Sequence, residues 1–373
     1  MDRPPVIRPL AVLWKGLLLF LILDLLVAAL PPVDSGRLSL YNRLFPGRER
    51  LPFGENPAQA YNLSLFDLDA MFASHVIAAG PKPADEYRIL LMGDSSVWGT
   101  LLRPEETLAG QLNAAALTLC GRPVRFYNLG YPSLSLTKDL LLLDYAVRYD
   151  PDLIIWLTTL EAFPLDGQLT APIVAHNAAR TQALIARYDL PFDLADPALA
   201  QPTFWERTLI GRRRALADWL RLQLYGILWA ATGIDQAYPS DYPALQVDLE
   251  ADLSFHDLQP PGLQETDLAF EVLEAGFRAA GDTPVLLVNE PMFLSRGVNS
   301  DLRYNFFYPR WAYDDYRRLL AERAGRLGWN YLDLWNLLPE AVHYTNSAIH
   351  LTPQAEAELA RTLAQALSQM PCP

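Results

Sequence analysis

An apolar run that ends abruptly on a glycine and a serine constrains this chain more than any other feature. Arg88-Ile89-Leu90-Leu91-Met92 reads as a short strand buried on both faces, and Gly93-Asp94-Ser95 follows at once. A hydroxyl is thereby placed on a tight turn at the carboxyl end of a strand, where open α/β sheets put their ligand crevices. Four further strand-like runs follow at 124–129, 153–158, 284–289 and 330–334. Helix-like runs at 107–117, 136–147, 266–280 and 313–326 separate them. Strands alternating with helices predict an α/β domain with a mainly parallel sheet of about five strands and helices on both faces. A last helix is marked by Thr352 as N-cap, Pro353 at its first position, early Glu356 and Glu358, and the stripe Leu359, Leu363, Leu367.

The pattern Gly93-Asp94-Ser95-x-x-x-Gly99 resembles the first signature block of the SGNH (GDSL-type) hydrolases, here of a membrane-anchored bacterial type. The resemblance implies a three-layer flavodoxin-like fold over roughly 84–373. It also implies a serine nucleophile. The stretch between the third and fourth strands is too long for a simple crossover and is read as a helical insertion, at about 165–265, that roofs part of the active face. A serine needs a base within hydrogen-bond reach and donors for the oxyanion that forms. Of the five histidines, His75, His176, His256, His343 and His350, only His350 lies in a loop just before the final helix, where the family carries its catalytic histidine. Ser95 and His350 are therefore the expected catalytic pair.

The departures from the family are specific. The resemblance would put the triad acid at 347, where this chain has Ser347 beside Asn346. Three outcomes stand open: a dyad oriented by the neutral Asn346 or Ser347, a carboxylate such as Asp333 or Glu290 brought from elsewhere, or lost catalysis. Gly130, after the second strand, fits the family's oxyanion glycine, with the Ser95 amide as the other donor. In the third block Leu160 stands in the asparagine slot, leaving the hydroxyl of Thr158 or Thr159 as substitute. Asp94, Asn289, Glu290, Asn305 and Tyr308 are candidates to line the substrate, the last two from an aromatic and amide-rich loop that suits sugar rings.

Residues 10–30 are strongly apolar and, as a helix, would reach about 32 Å, enough to cross a bilayer. Arg3, Arg8 and Lys15 flank the amino side and Pro31-Pro32 stops the run. This predicts a single-span anchor over 1–31, with the amino terminus in the cytoplasm and the body outside, in preference to a cleaved signal peptide or a buried soluble helix. Asp24 inside the run reads as a wet interfacial carboxyl or as a contact with a second membrane protein. Residues 32–83 read as a juxtamembrane linker packed on the domain, with a helical patch near 64–79. In the insertion, Arg212-Arg213-Arg214 leads into Leu216, Trp219, Leu220, Leu224 and Leu228. That stretch is read as a buried cap helix in preference to one on the membrane surface.

A formal net charge of −13 disfavours nucleic acid. Cys120 and Cys372 suggest neither a metal site nor a disulfide framework, and are read as a buried thiol and a frayed tail. No cofactor and no metal are expected. The resulting expectation is a membrane-anchored serine esterase acting on O-acyl esters of cell-surface carbohydrate. The alternatives are an O-acyltransferase working with a membrane acyltransferase partner, and a non-catalytic glycan-binding or assembly protein.

Overall fold

The computed structural model describes residues 8–30, 38–45, 47–54, 65–236 and 242–372. Six strands form one sheet: β1 (Tyr87–Met92), β2 (Thr118–Leu119), β3 (Arg122–Asn128), β4 (Leu153–Thr158), β5 (Val285–Asn289) and β6 (Asn330–Asp333), in the order β2-β3-β1-β4-β5-β6. All pairings except β2–β3 are parallel. The five parallel strands thus run in the flavodoxin-like order, second-first-third-fourth-fifth, with the switch point between β1 and β4. This is the expected three-layer architecture. The addition is β2, a two-residue antiparallel strand too short to carry a periodic signal.

The residues of β1, β4 and β5 are buried throughout, as strands covered on both faces must be. Their side chains alternate between two cores. Ile89, Leu91, Ile155, Leu157 and Val288 pack with helices Leu108–Ala114 and Pro353–Ser368. Leu90, Met92, Ile154, Trp156 and Leu287 pack with helices Leu136–Ala146, Phe270–Ala279 and Arg310–Leu327. The register brings Leu91 beside Asn128, Met92 beside Trp156 and Thr158 beside Asn289, so the carboxyl ends of the strands form one edge. Thr352 caps the last helix by accepting from the Ala355 amide.

The segment before β1 is built into this core. Leu51, Leu68, Met71, Phe72 and Ile77 join the second of these cores, with a helix at Leu68–Ser74 and a turn at Val76–Ala78. Arg3, Pro31, Pro32 and Ser64 lie outside the described residues.

Cys120 and Cys372 are joined by a disulfide, which corrects the expectation of two separate thiols. Cys120-Gly121 is the two-residue turn of the β2–β3 hairpin, and both residues have positive φ. The last helix runs back along the sheet and delivers Cys372 to that hairpin, with the two Cα atoms 5.6 Å apart. The 252 residues of separation hide a contact that only the returning helix creates.

The helix Pro9–Ala29 has 21 residues and a mean hydropathy of 2.4, long and apolar enough to cross a membrane. Among its residues only Asp24 and Ala28 are buried. Asp24 Oδ1 accepts from the Ile210 amide at 3.1 Å, so a backbone group of this chain's own insertion meets the Asp24 carboxyl. The insertion holds helices Pro172–His176 and Ala178–Tyr188, whose Ile173, Val174, Leu184 and Ile185 enter the main core. Its stretch around 252–258 reaches the carboxyl edge, where His256 pairs with Glu161 and Asp166. Its Arg-rich helix is not the buried cap expected: Leu216, Leu220, Leu224 and Leu228 are exposed, while Leu222, Gln223 and Gly226 are buried and Trp229 and Ala230 pack against Tyr41 and Leu222.

Removing a native disulfide costs about 2–5 kcal/mol. The Cys372→Ser variant is expected to melt several degrees below the parent chain in a thermal scan, as should the parent under reductant. An unchanged melting point would show that the cross-link contributes nothing.

Candidate active site

β1 ends at Met92 because the chain must leave the sheet at the switch point, and Gly93 makes the exit. Its φ is +154°, and a Cβ there would sit 2.5 Å from Val97 Cγ2 and 3.1 Å from the Leu157 carbonyl. Asp94 then caps the short helix Ser95–Trp98 by accepting from the Ser96 amide at 2.8 Å. Ser95 stands at the first position of that helix, partly open to solvent while Asp94 and Ser96 on either side are buried.

His350 arrives from the other end of the domain. An antiparallel bridge between Tyr344 and Leu351 closes a loop, and the Thr345 amide donates to the His350 carbonyl at 2.9 Å. That closure sets Asn346 opposite His350. His350 Nε2 lies 2.8 Å from Ser95 Oγ, and His350 Nδ1 lies 2.8 Å from Asn346 Oδ1. A carboxamide oxygen only accepts, so Nδ1 carries the proton and Nε2 turns its lone pair to the serine hydroxyl. Ser95, Asn346 and His350 are all half-buried, open enough for a substrate to reach.

Of the four candidates to orient the histidine, Asn346, Ser347, Asp333 and Glu290, the structure brings up Asn346. Ser347 is buried and makes no hydrogen bond to His350. Asp333 accepts from Asn289 Nδ2 and pairs with Arg317 at 2.7 Å, so its charge is already matched. Burial pushes the His350 imidazole below its ordinary value, and the negative charge of Asp94 opposes that shift. Asn346 supplies orientation, and Asp94 supplies the nearby charge that an asparagine lacks.

The donors for an oxyanion are differently arranged from expectation. The Gly130 amide donates to Asn128 Oδ1 at 3.0 Å and is therefore already engaged. Gly130 serves close packing instead: a Cβ there would lie 2.4 Å from the Trp98 amide nitrogen. The Thr159 hydroxyl is buried against the Tyr308 hydroxyl at 3.0 Å, and Leu160 is buried. The Ser95 amide has no acceptor among the described residues.

The substrate-lining candidates lie inside the protein. Asn289 accepts from the hydroxyls of Tyr313 and Tyr316. Asn305 Oδ1 accepts from the amides of Phe307 and Tyr308, and its Nδ2 donates to the Phe293 carbonyl, so it pins the aromatic loop. Tyr308 is completely buried. These polar groups are used up within the fold and are not offered to a ligand. Glu290 sits under the nucleophile turn and accepts from the Ser96 hydroxyl. It lines a small void together with Glu356 of the last helix. Burial drives both carboxyls up, Glu356 to about 8, and the neighbouring charge of Asp94 raises Glu290 further.

Three supports were not read from the sequence. Lys138, completely buried, donates to the Gly93 carbonyl at 2.7 Å and pairs with Asp139. Arg50 donates to the carbonyls of Gly99 and Leu102 at 2.9 Å and stacks over Trp98. Asn128 Nδ2 donates to the Val97 carbonyl at 2.8 Å. A lysine inside the apolar helix 136–146 was the one available signal. His75 is a structural histidine: its Nε2 donates to the Asn128 carbonyl, and burial holds its pKa near 4. Among the described residues no cluster of His, Cys, Asp or Glu could hold a metal ion.

Compared by sequence, the chain matches no protein-family profile and no curated protein. Compared by shape, it is similar to a member of the lipolytic G-D-S-L family from Veillonella parvula, with a TM-score of 0.38 and 10% identity over 76% of this chain and 99% of that one. It is also similar to a carbohydrate acetylesterase family member from Sinorhizobium meliloti, with a TM-score of 0.32 and 11% identity over 75% and 96% of the two chains. A third likeness is to the inhibitor-bound aryl esterase of M. smegmatis, with a TM-score of 0.33 and 13% identity over 76% and 99%. What this site can do chemically is set by its own side chains.

Glu356 titrates higher folded than unfolded, so its contribution is present below the unfolded value of 4.5 and is lost as pH rises through about 8. Glu356→Gln is expected to gain stability relative to the parent chain across that window in urea melts at stepped pH. A constant difference between the two would refute the assignment.

Proposed function

We propose that this chain is an SGNH-type serine hydrolase acting on O-acyl esters, held at a membrane by the helix Pro9–Ala29 with its body on the outer side. One observation carries the catalytic part: Ser95 Oγ and Asn346 Oδ1 lie on opposite nitrogens of the His350 ring, each at 2.8 Å. That is the nucleophile, base and orienter arrangement of acyl-transfer catalysis, with asparagine in the third place.

In the proposed reaction the Ser95 hydroxyl attacks the ester carbonyl as His350 Nε2 takes its proton. The imidazolium keeps its Nδ1 proton on Asn346 and feels the charge of Asp94. The Ser95 amide faces the negative oxygen that develops. His350 returns the proton to the departing alcohol, leaving an acyl-serine. Water, deprotonated by the same nitrogen, then releases the acid. The residues once expected to bind sugar are buried, so the proposed substrate class is O-acyl esters at large. Two observations support the location. The helix is long and apolar enough to span. The Cys120–Cys372 disulfide is of a kind that persists in oxidising compartments.

A fluorophosphonate probe should label the full chain in detergent, and Ser95→Ala should abolish labelling. Ester hydrolysis, followed with p-nitrophenyl acetate, should fall by about four to six orders of magnitude in Ser95→Ala or His350→Ala. A folded parent chain that neither labels nor hydrolyses would leave a binding protein in its place.

The neutral form of His350 is the base, so activity should rise with pH through a value below the ordinary histidine pKa and be flat at neutrality. Asn346→Asp adds a charge that favours the imidazolium, and the acid limb of kcat/KM should move to higher pH. Asn346→Ala should slow hydrolysis about ten- to a hundredfold, the value of one hydrogen bond to a charged partner. A profile unmoved in Asn346→Asp would remove residue 346 from the mechanism.

A further inference from the structure

A helical run from Arg213 through Thr232 presents apolar side chains that nothing in the described residues covers. It comprises Arg213–Arg221, the wider turn Leu222–Gly226 and Ile227–Thr232. Leu220, Leu224 and Leu228 recur every fourth residue and are 52%, 67% and 62% exposed. The opposite side is fixed to the protein. Leu222 packs on Tyr41, and Gln223 Oε1 accepts from the Ser39 hydroxyl and the Tyr41 amide. The direction in which the leucines point is therefore set by the fold.

Two observations identify what meets them. The first is depth. Asp24 accepts from the Ile210 amide, three residues before the run begins. Asp24 lies five residues before the end of Pro9–Ala29, which at 1.5 Å per residue is roughly 8 Å inside that end. Helices that lie in a membrane interface bury their apolar face about 5–10 Å deep. The second is charge. Residues 204–232 carry Arg207, Arg212, Arg213, Arg214 and Arg221 against Glu206 and Asp218, in a chain whose net charge is −13. A positive island joined to the membrane-length helix matches anionic headgroups.

We propose that the run 213–232 lies along the outer surface of the membrane. Leu220, Leu224 and Leu228 enter the acyl boundary, and the arginines at its start meet anionic lipid headgroups. The inference rests on the reading of Pro9–Ala29 as a span. It adds a second attachment, so that the body cannot swivel about a single helix and the Ser95 edge keeps a constant orientation to the bilayer.

Nitroxide labels at Leu224→Cys and Leu228→Cys test this in the full chain, reconstituted into vesicles of equal parts phosphatidylglycerol and phosphatidylcholine. The native cysteines are paired and do not react. Leu19→Cys reports on the span and Val342→Cys on water-facing surface, and a thermal melt of each variant checks its fold. Oxygen should relax the labels at 19, 224 and 228 more than a water-soluble nickel complex does, with the reverse at 342. Immersion at 19 with water exposure at 224 and 228 would overturn the surface proposal alone. Shielding of 224 and 228 from both relaxants would overturn it in favour of a protein contact, a second copy included. Immersion at 224 and 228 without immersion at 19 would retain it and overturn the span. Equal immersion in vesicles of phosphatidylcholine alone would overturn the role of anionic lipid.

Discussion

β1 is hydrogen-bonded in parallel to β3 on one edge and β4 on the other, and the site depends on that double pairing. A strand with neighbours on both sides and helices over both faces can be left only at its ends. At its carboxyl end the neighbouring connections run to opposite faces, which opens the crevice into which the chain turns. Gly93 makes the turn possible, and the turn presents Ser95. The surroundings then hold it still. Lys138 ties down the Gly93 carbonyl, Asn128 the Val97 carbonyl, and Arg50 the carbonyls beyond the helix. A four-residue helix has little stability of its own, so its geometry is imposed by these buried donors.

The electrostatics around Ser95 follow from how deeply this turn is set. The orienting group on His350 is neutral, and the nearest charge that favours an imidazolium is Asp94, next to the serine. Beneath lie Glu290 and Glu356, both forced by burial toward their neutral forms. Burial is what lowers the His350 pKa and favours its neutral, basic form, the Asp94 charge works against that lowering, and the two carboxyls beneath are pushed by burial toward their uncharged forms. A charged carboxylate on Nδ1 would add stabilisation to the imidazolium but would also raise the histidine's own pKa.

The parts outside the sheet concern attachment. The segment before β1 belongs to the main core and supplies Arg50, while the insertion bonds to Asp24 in the apolar helix through Ile210. The last helix carries both the loop that presents His350 and, at its far end, the cysteine that closes onto the β2–β3 hairpin. One element therefore connects the two edges of the sheet.

The parallel strands and the main helices flanking the sheet were legible because each is a contiguous run with its own burial period. The turn at Ser95 and the loop at His350 were legible because each has a local signature. Their partners were not. Asn346 rather than Asp333 faces His350 because the Tyr344–Leu351 bridge folds the loop on itself, and no spacing rule shows that. Asn289, Asn305 and Tyr308 looked like ligand groups, yet the fold uses their polar atoms internally. Cys120 and Cys372 looked separate because the helix that joins them spans the intervening distance in space and not in sequence. Local composition determines which element forms and where it stops. Which polar group meets which depends on side chains from distant elements competing for the same partner, and that is decided only when the chain has closed.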